Sequence, residues 1–327
     1  MKQKSDIPLI DLTPLRTNKG LQEIGAKIKT ACLGSGFFMV SNHGIDEDLL
    51  AAVFHANRCF HDLPLAEKNA IKLNHWHRGY QGFATSTLVS SARFAPATTA
   101  NQLASFFIRQ EVSPEDPNYL TSALKGPNQW PDDPKFREVV SQYDSDVRAL
   151  GHRLLPAFAL AVEESASFFQ PYFDNATTAL RLIHYPSVEF LQSGNTLGIQ
   201  PHTDYGFITI LAQDAICGLE IRLPDGGWMT VPYVPGALII NIGDALARWT
   251  NDVFNSTPHR VISPRSGIGR YSVAMFFDPN MDASIRCLRK FIDTDHSAQY
   301  PAIQYGSYIE ERLNKNYPNR AARQMPS

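Results

Sequence analysis

The sequence predicts a mainly β protein: an antiparallel sandwich or jelly roll with flanking helices, most of them in the N-terminal region. Two textures predict it. Beyond about residue 178 the chain becomes a series of short apolar runs, each cut off by turn residues. Before that point apolar residues recur three and four apart, the period of helices laid on a core. Composition is the third observation. Of 327 residues, 43% are apolar and 19% charged, which supports a sizeable core and argues against disorder.

Taken in order, residues 7–11 read as a short extended entry segment. Leu21, Ile24, Ile28, Ala31 and Cys32 define a first helix. Residues 36–41 are a compact apolar run with aromatic and β-branched members, which predicts a strand. Asp46, Glu47 and Asp48 can open a second helix that carries Leu49, Leu50, Val53, Phe54 and Phe60 inward, and residues 64–68 begin another. From residue 75 to about 134, glycines and prolines break every period, so substrate-facing loops are expected there. A long helix follows, with Phe136, Val140, Tyr143, Val147, Leu150, Leu154 and Phe158 on its apolar stripe and a kink expected at Pro156. Candidate strands then cover 179–185, 207–213, 218–223, 228–232, 237–241, 258–263 and 270–277. Pro224-Asp225-Gly226-Gly227 is a hairpin turn signal between two of them. Residues 303–316 return to helix, with Ile309 and Leu313 on one face.

A net charge of −2 supplies no basic surface for nucleic acid. No apolar run approaches the roughly 18 residues of a membrane span, and the N-terminus lacks the apolar core of a signal peptide. A cytoplasmic monomer acting on a small molecule, with neither nucleic acid nor membrane as partner, is the expectation. Cys32, Cys59, Cys217 and Cys287 form no CxxC pair and are expected to be reduced, mostly buried thiols.

The chemistry concentrates in His202-Thr203-Asp204. In extended structure residues two apart point to the same side, so His202 and Asp204 can reach one metal; in a helix they would diverge. His259, at the start of a β-branched run, supplies a second imidazole once a late strand lies beside an early one. Two imidazoles and a carboxylate occupy one face of a mononuclear non-haem Fe(II) and leave other positions open. Zinc accepts the same set with water in the remaining place, so the ligands alone leave oxygenase and hydrolase both open. Arg270-Tyr271-Ser272 favours the first. Strand alternation puts Arg270 and Ser272 on one face, where a guanidinium and a hydroxyl can grip a carboxylate. A metallohydrolase has no general need of that clamp, whereas a dioxygenase using 2-oxoglutarate does, and Tyr185 is a candidate third partner. Other histidines read as structural. His184 is expected to pack near the pocket, His75 and His77 to be exposed loop residues, and Asp244 to cap a turn. There is no HExxH, Walker loop or GxSxG elbow, and Met39 stands where a dinucleotide fingerprint beginning at Gly34 would need its third glycine.

With these residues in hand, the chain resembles the isopenicillin N synthase-like family of Fe(II)- and 2-oxoglutarate-dependent oxygenases over nearly its whole length. The resemblance is carried by Ile7 to Asp11, Gly36 to Ile45, His184-Tyr185-Pro186, His202-Thr203-Asp204, Gly218-Leu219-Glu220 and Trp228 to Pro232. It continues through Asn241 to Asp244, Thr257 to Val261, Arg270-Tyr271-Ser272 and Phe276 to Pro279. It implies a double-stranded β-helix core over 176–290, an N-terminal helical region over 1–175 packed against it, and a helical tail over 291–327, as one compact unit. It implies Fe(II) on His202, Asp204 and His259, the co-substrate carboxylate on Arg270 and Ser272 with Tyr185 assisting, and O2 as oxidant. The implied reaction oxidises an unactivated C–H bond of a small molecule, by hydroxylation, desaturation or cyclisation, with release of succinate and CO2.

The chain departs from the family where members often carry a charged segment before a middle strand. Here that region is Asn101 to Phe106, so the substrate loops are its own. Candidate pocket residues are Arg93, as binder of an acidic substrate, and Phe83, Phe106, Tyr205, Phe207 and Phe276 as an apolar lining. Two alternatives stay open: an oxidase of the same fold whose Arg270 and Ser272 hold the substrate's own carboxylate, and a non-catalytic binding protein.

Overall fold

Alternation along the strands sorts side chains onto two faces, and that sorting positions the site. The computed structural model describes residues 7–87, 97, 99–117, 119–120, 124–190, 196–265 and 267–317. Its strands, in chain order, are β1 (Leu9–Asp11), β2 (Phe37–Ser41), β3 (Gly79–Gln81), β4 (Ala104–Ile108), β5 (Thr177–Tyr185), β6 (Leu197–His202) and β7 (Ile208–Gln213). There follow β8 (Leu219–Arg222), β9 (Trp228–Thr230), β10 (Leu238–Ile242), β11 (His259–Ile262), β12 (Arg270–Asp278), β13 (Ser284–Ile285) and β14 (Ile303–Gln304). The helices are α1 (Asn18–Leu33), α2 (Glu47–Asp62), α3 (Leu65–Ala70), α4 (Pro134–Ala161), α5 (Gln170–Phe173), α6 (Asp244–Trp249) and α7 (Tyr305–Asn316).

Among the described residues, eight strands form a main sheet in the order β1-β2-β10-β7-β12-β5-β4-β3, and four form a second sheet in the order β6-β11-β8-β9. Pairing in both is antiparallel except for β1 beside β2. This is a jelly-roll core, as the strand texture predicted. Leu180 and Leu182 of β5, Val273, Met275 and Phe277 of β12, and Phe38 and Val40 of β2 join one apolar cluster with α1, α2 and α4. The alternate residues Ile183, Tyr185, Ala274, Phe37 and Met39 join a second cluster with Ile199, Leu219, Ile221 and Val261 of the smaller sheet. One parity therefore faces helices and the other faces the interior between the sheets.

The helices start where the sequence offers caps. The Asp46 side chain accepts from the backbone N–H groups of Asp48 and Leu49, and Asp133 accepts from Phe136. Helix α4 runs on through Pro156 to Ala161. No described helix is long and apolar enough to cross a membrane.

Three expectations are corrected. The stretch from residue 75 to 134 contributes, among its described residues, β3 and β4, which extend the main sheet beside β5. All five β4 residues are buried, so the strand shows no polar alternation to read. His77 is not an exposed loop residue; it is 2% exposed and meets the rings of Phe107 and Tyr317. Of the four cysteines, all free, Cys32 and Cys287 are buried whereas Cys59 and Cys217 are exposed.

Helix α4 touches the main sheet through Gly151, where an added Cβ would lie 2.6 Å from the Phe277 ring. That ring is itself fixed by stacking on Phe173, with centroids 5.1 Å apart. Gly151→Ala is therefore expected to lower stability by about 1–3 kcal/mol through overpacking. Helix propensity alone would raise it by up to about 1 kcal/mol, so a urea denaturation series separates the two by sign.

Candidate metal and co-substrate site

His202 ends β6 and His259 begins β11, and the two are register partners across the smaller sheet, with ring centroids 4.2 Å apart. Each ring sets its Nδ1 against a backbone carbonyl two residues back: Gln200 O at 2.8 Å and Thr257 O at 3.1 Å. A carbonyl only accepts, so Nδ1 carries a proton in both rings, and in a neutral imidazole of that tautomer Nε2 is the atom free to ligate a metal. Burial, and after it the neighbouring His259, push the His202 imidazole down to about 3, so it is neutral at ordinary pH.

Asp204 follows two residues after His202. Its Oδ2 accepts from the Thr209 hydroxyl and from Asn241 Nδ2, the latter at 2.7 Å. Thr209 and Asn241 stand opposite each other on β7 and β10, so the main sheet holds the carboxylate. Its Oδ1 lies 3.9 Å from His202 Nε2 and 3.8 Å from His259 Nε2. Burial raises the Asp204 carboxyl, but the two histidines and the hydrogen bonds from Thr209 and Asn241 outweigh it, and the net direction is down. Three potential ligand atoms thus converge on one point, His202 Nε2, His259 Nε2 and Asp204 Oδ1, an arrangement suited to a cation. His202, Asp204 and His259 are the metal-capable cluster among the described residues, with ligand atoms all within 4.8 Å of one another. The donor set fits Fe(II) and equally fits other borderline divalent ions.

The loop carrying Asp204 is fastened to β12. Asp278 Oδ1 accepts from Phe207 N–H at 2.8 Å. A Cβ on Gly206 would lie 1.6 Å from that oxygen, so the close approach needs glycine there.

Further along the same interior face, Arg270 and Ser272 lie two apart on β12, with Tyr185 of β5 opposite Arg270. Arg270 is 1% exposed. Its Nε donates to Ile216 O at 3.1 Å and its Nη2 to Gln213 Oε1 at 3.4 Å, and its guanidinium carbon lies 4.9 Å from the centre of the Tyr185 ring. Tyr185 thus meets Arg270 through its ring face. Arg270 Nη1 and Ser272 Oγ are buried with no hydrogen-bond partner among the described residues. Orphaned buried donors of this kind cost on the order of 1–3 kcal/mol each, and an incoming carboxylate would satisfy both.

A cavity opens beside the triad. It is lined by His202 and Asp204, by residues of β4, β5 and β12, and by Ile309 and Leu313 of α7. Of the pocket residues the sequence suggested, Tyr205 and Phe276 line this cavity. Three do not, and are corrected. Phe106 takes the helix-facing parity of β4 and packs on Phe60 and Phe136. Phe207 packs among Phe158, Phe169 and Trp249. Phe83 is 42% exposed on a turn. Arg93 lies outside the described residues. His184 stacks on Tyr271 with centroids 4.6 Å apart, on the helix-facing parity of β5. Asp244 opens α6 and accepts from Ser256 Oγ at 2.8 Å.

The cavity is also lined by His77, which the sequence placed on an exposed loop, and by Phe107, Arg109, Thr177 and Arg181, which it did not single out. The signal for Arg181 was present, since it precedes Tyr185 by four residues and shares its parity on β5.

Chains of known type match this architecture. Residues 7–133 match the family model described as non-haem dioxygenase in morphine synthesis N-terminal, and residues 176–279 match that of the 2OG-Fe(II) oxygenase superfamily. A 2-oxoglutarate-Fe(II) type oxidoreductase, hxnY of Emericella nidulans, is 33% identical over 321 residues, covering 95% of this chain and 90% of its own. Kihadalactone A synthase of Citrus sinensis is 33% identical, covering 95% and 94%. The crystal structure of a full-length Neurospora crassa protein in complex with alpha-KG and thymine superposes with a TM-score of 0.82 at 26% identity, covering 96% and 98%.

Asn241→Ala removes one of the two donors that orient Asp204. Loss of such a supporting hydrogen bond is expected to weaken metal binding about 10- to 100-fold, read by Mn(II) titration with the fold checked by circular dichroism.

Proposed function

The chain belongs to the 2OG-Fe(II) oxygenase superfamily, and from that premise we propose that His202, Asp204 and His259 hold its Fe(II) while Arg270 and Ser272 receive the distal carboxylate of 2-oxoglutarate. The protein is a non-haem Fe(II)- and 2-oxoglutarate-dependent dioxygenase acting on a small molecule. When bound, iron and 2-oxoglutarate together with O2 supply the oxidising chemistry, with succinate and CO2 as the co-substrate's products.

The carrying observation is the pair of orphaned atoms, Arg270 Nη1 and Ser272 Oγ, on the interior face. Burial sharpens their preference for an anion, because a guanidinium removed from water gains more from a carboxylate than an exposed one does. Tyr185 supports the guanidinium plane from its ring face.

The remaining work of the chain is placement and exclusion of water. Nδ1 protonation in both histidines keeps each Nε2 turned inward, and Thr209 with Asn241 keeps Oδ1 turned the same way. Phe276, Ile309 and Leu313 give the cavity apolar walls against which a substrate can seat a C–H bond near the triad. Among the similar proteins, one is solved in complex with alpha-KG and thymine and another is named a kihadalactone A synthase, so similarity at this level does not fix a substrate. Selection of the substrate is therefore assigned to this chain's own cavity residues.

Anaerobic titration of the Fe(II) protein with 2-oxoglutarate is expected to give a visible metal-to-keto-acid charge-transfer band. His202→Ala is expected to abolish Fe(II) binding and the band together; a full band in that variant would sink the ligand assignment. Arg270→Ala is expected to weaken 2-oxoglutarate binding about 30-fold or more, the cost of truncating one side of a buried charge pair, with Fe(II) affinity little changed. An unchanged 2-oxoglutarate affinity would remove the clamp.

A further inference from the structure

A second guanidinium faces the cavity, and its bonding differs from that of Arg270. Arg181 sits on β5 opposite Phe107 of β4 and Ala274 of β12, and lines the cavity together with His202 and Asp204. Its Nε donates to Ser105 Oγ at 3.1 Å and its Nη2 to Gln81 Oε1 at 3.1 Å. Both partners are neutral. Its guanidinium carbon lies 4.9 Å from the centre of the Phe107 ring. Two of three nitrogens are thus tethered and the plane is set, while Nη1 has no hydrogen-bond partner and the group no ion pair among the described residues. Arg109, two residues beyond Phe107 on the same strand parity, brings a second positive charge to the same cavity. The cavity's carboxylates are otherwise engaged: Asp204 belongs to the proposed metal site, and Asp278 accepts from Phe207 N–H.

Arg181 is too far from the clamp to share its ligand. It precedes Tyr185, the register partner of Arg270, by four residues, which is about 13 Å along a strand. A partly buried guanidinium that is pre-oriented but paired only with neutral groups is an anion site waiting for its charge. Apolar surface from Phe107, Phe276, Ile309 and Leu313 surrounds it.

We propose that Arg181 selects the substrate, and that the substrate class is a small organic acid whose carboxylate pairs with Arg181 while its apolar body lies against Phe107 and Phe276, between that arginine and the proposed metal site. The inference rests on the oxygenase reading above, since it takes the cavity beside the triad as the substrate site. It is independent of which C–H bond is oxidised.

The test uses the full chain loaded with Mn(II) and saturated with 2-oxoglutarate, so that the Arg270 clamp is already filled. Matched acids and primary amides are titrated calorimetrically: benzoate with benzamide, phenylacetate with phenylacetamide, cinnamate with cinnamamide, hexanoate with hexanamide. At least one acid is expected to bind about tenfold or more tightly than its amide, as befits a site built around an unpaired charge. Arg181→Gln, which keeps a donor for Ser105, is expected to erase that gap, and Arg181→Lys to retain part of it. Binding of 2-oxoglutarate, measured separately, is expected to stay unchanged in both variants and serves as the check on folding. A panel in which no acid outranks its amide overturns the proposal, as does a gap that survives Arg181→Gln. Loss of 2-oxoglutarate binding in both variants overturns it too, because Arg181 would then belong to the frame. Failure of the underlying oxygenase reading would show instead as a wild-type protein that binds no 2-oxoglutarate.

Discussion

Three ligand atoms meet in the interior of this protein, each presenting a lone pair when the imidazoles are neutral: Nε2 of His202, Nε2 of His259 and Oδ1 of Asp204. Left alone they repel. The fold accepts that repulsion because each group is pinned from behind. Two backbone carbonyls take the Nδ1 protons, and Thr209 with Asn241 takes the far carboxylate oxygen. The pins come from both sheets. His202 and His259 are register partners in the smaller sheet, whereas Thr209 and Asn241 belong to neighbouring strands of the main one. The jelly roll is therefore what brings the convergence about, since neither sheet alone supplies all the supports.

The main sheet adds a second constraint, the disposition of positive charge along its interior face. Arg270 and Arg181 share strand parity but lie at different heights, on β12 and β5. Each has aromatic support, from Tyr185 and from Phe107, and each keeps a nitrogen without a described partner. Two separated guanidiniums on one low-dielectric face define two anion positions, and the triad faces the same interior. A co-substrate and a substrate that are both anions can then occupy the site without sharing a counter-charge. Helix α7 completes the enclosure through Ile309 and Leu313, so a segment far from the ligand motifs in sequence still shapes what can enter.

The errors of sequence reading follow one physical pattern. Strand β4 is buried on both faces, so Phe106 and Phe107 look alike in sequence although one packs on Phe60 and the other faces the cavity. Parity decides their roles, and parity becomes legible only once register is known. His77 lies in a polar stretch, yet it is buried, because it precedes β3, which pairs with β4, and its ring meets those of Phe107 and Tyr317. Phe207 precedes β7 at a position that closes over helices, where four aromatic residues already wait.

The sequence by itself determined the strand-rich core, the helical N-terminal region and the ligand-capable set His202, Asp204 and His259. It also determined the spacing that puts Arg270 beside Ser272. These are local matters: hydrophobic period, turn chemistry, and the rule that residues two apart share a face of a strand. Tertiary structure alone decided that the two histidines stand opposite each other, that Arg270 Nη1 and Ser272 Oγ are left without partners, and that Arg181 enters the cavity while Phe106 does not. Those outcomes depend on which strands pair and at what register, and such pairings join residues as far apart as Ile239 and Met39, or Tyr185 and Arg270. No local pattern encodes them, because their energy comes from long-range burial and hydrogen bonding shared across the two sheets.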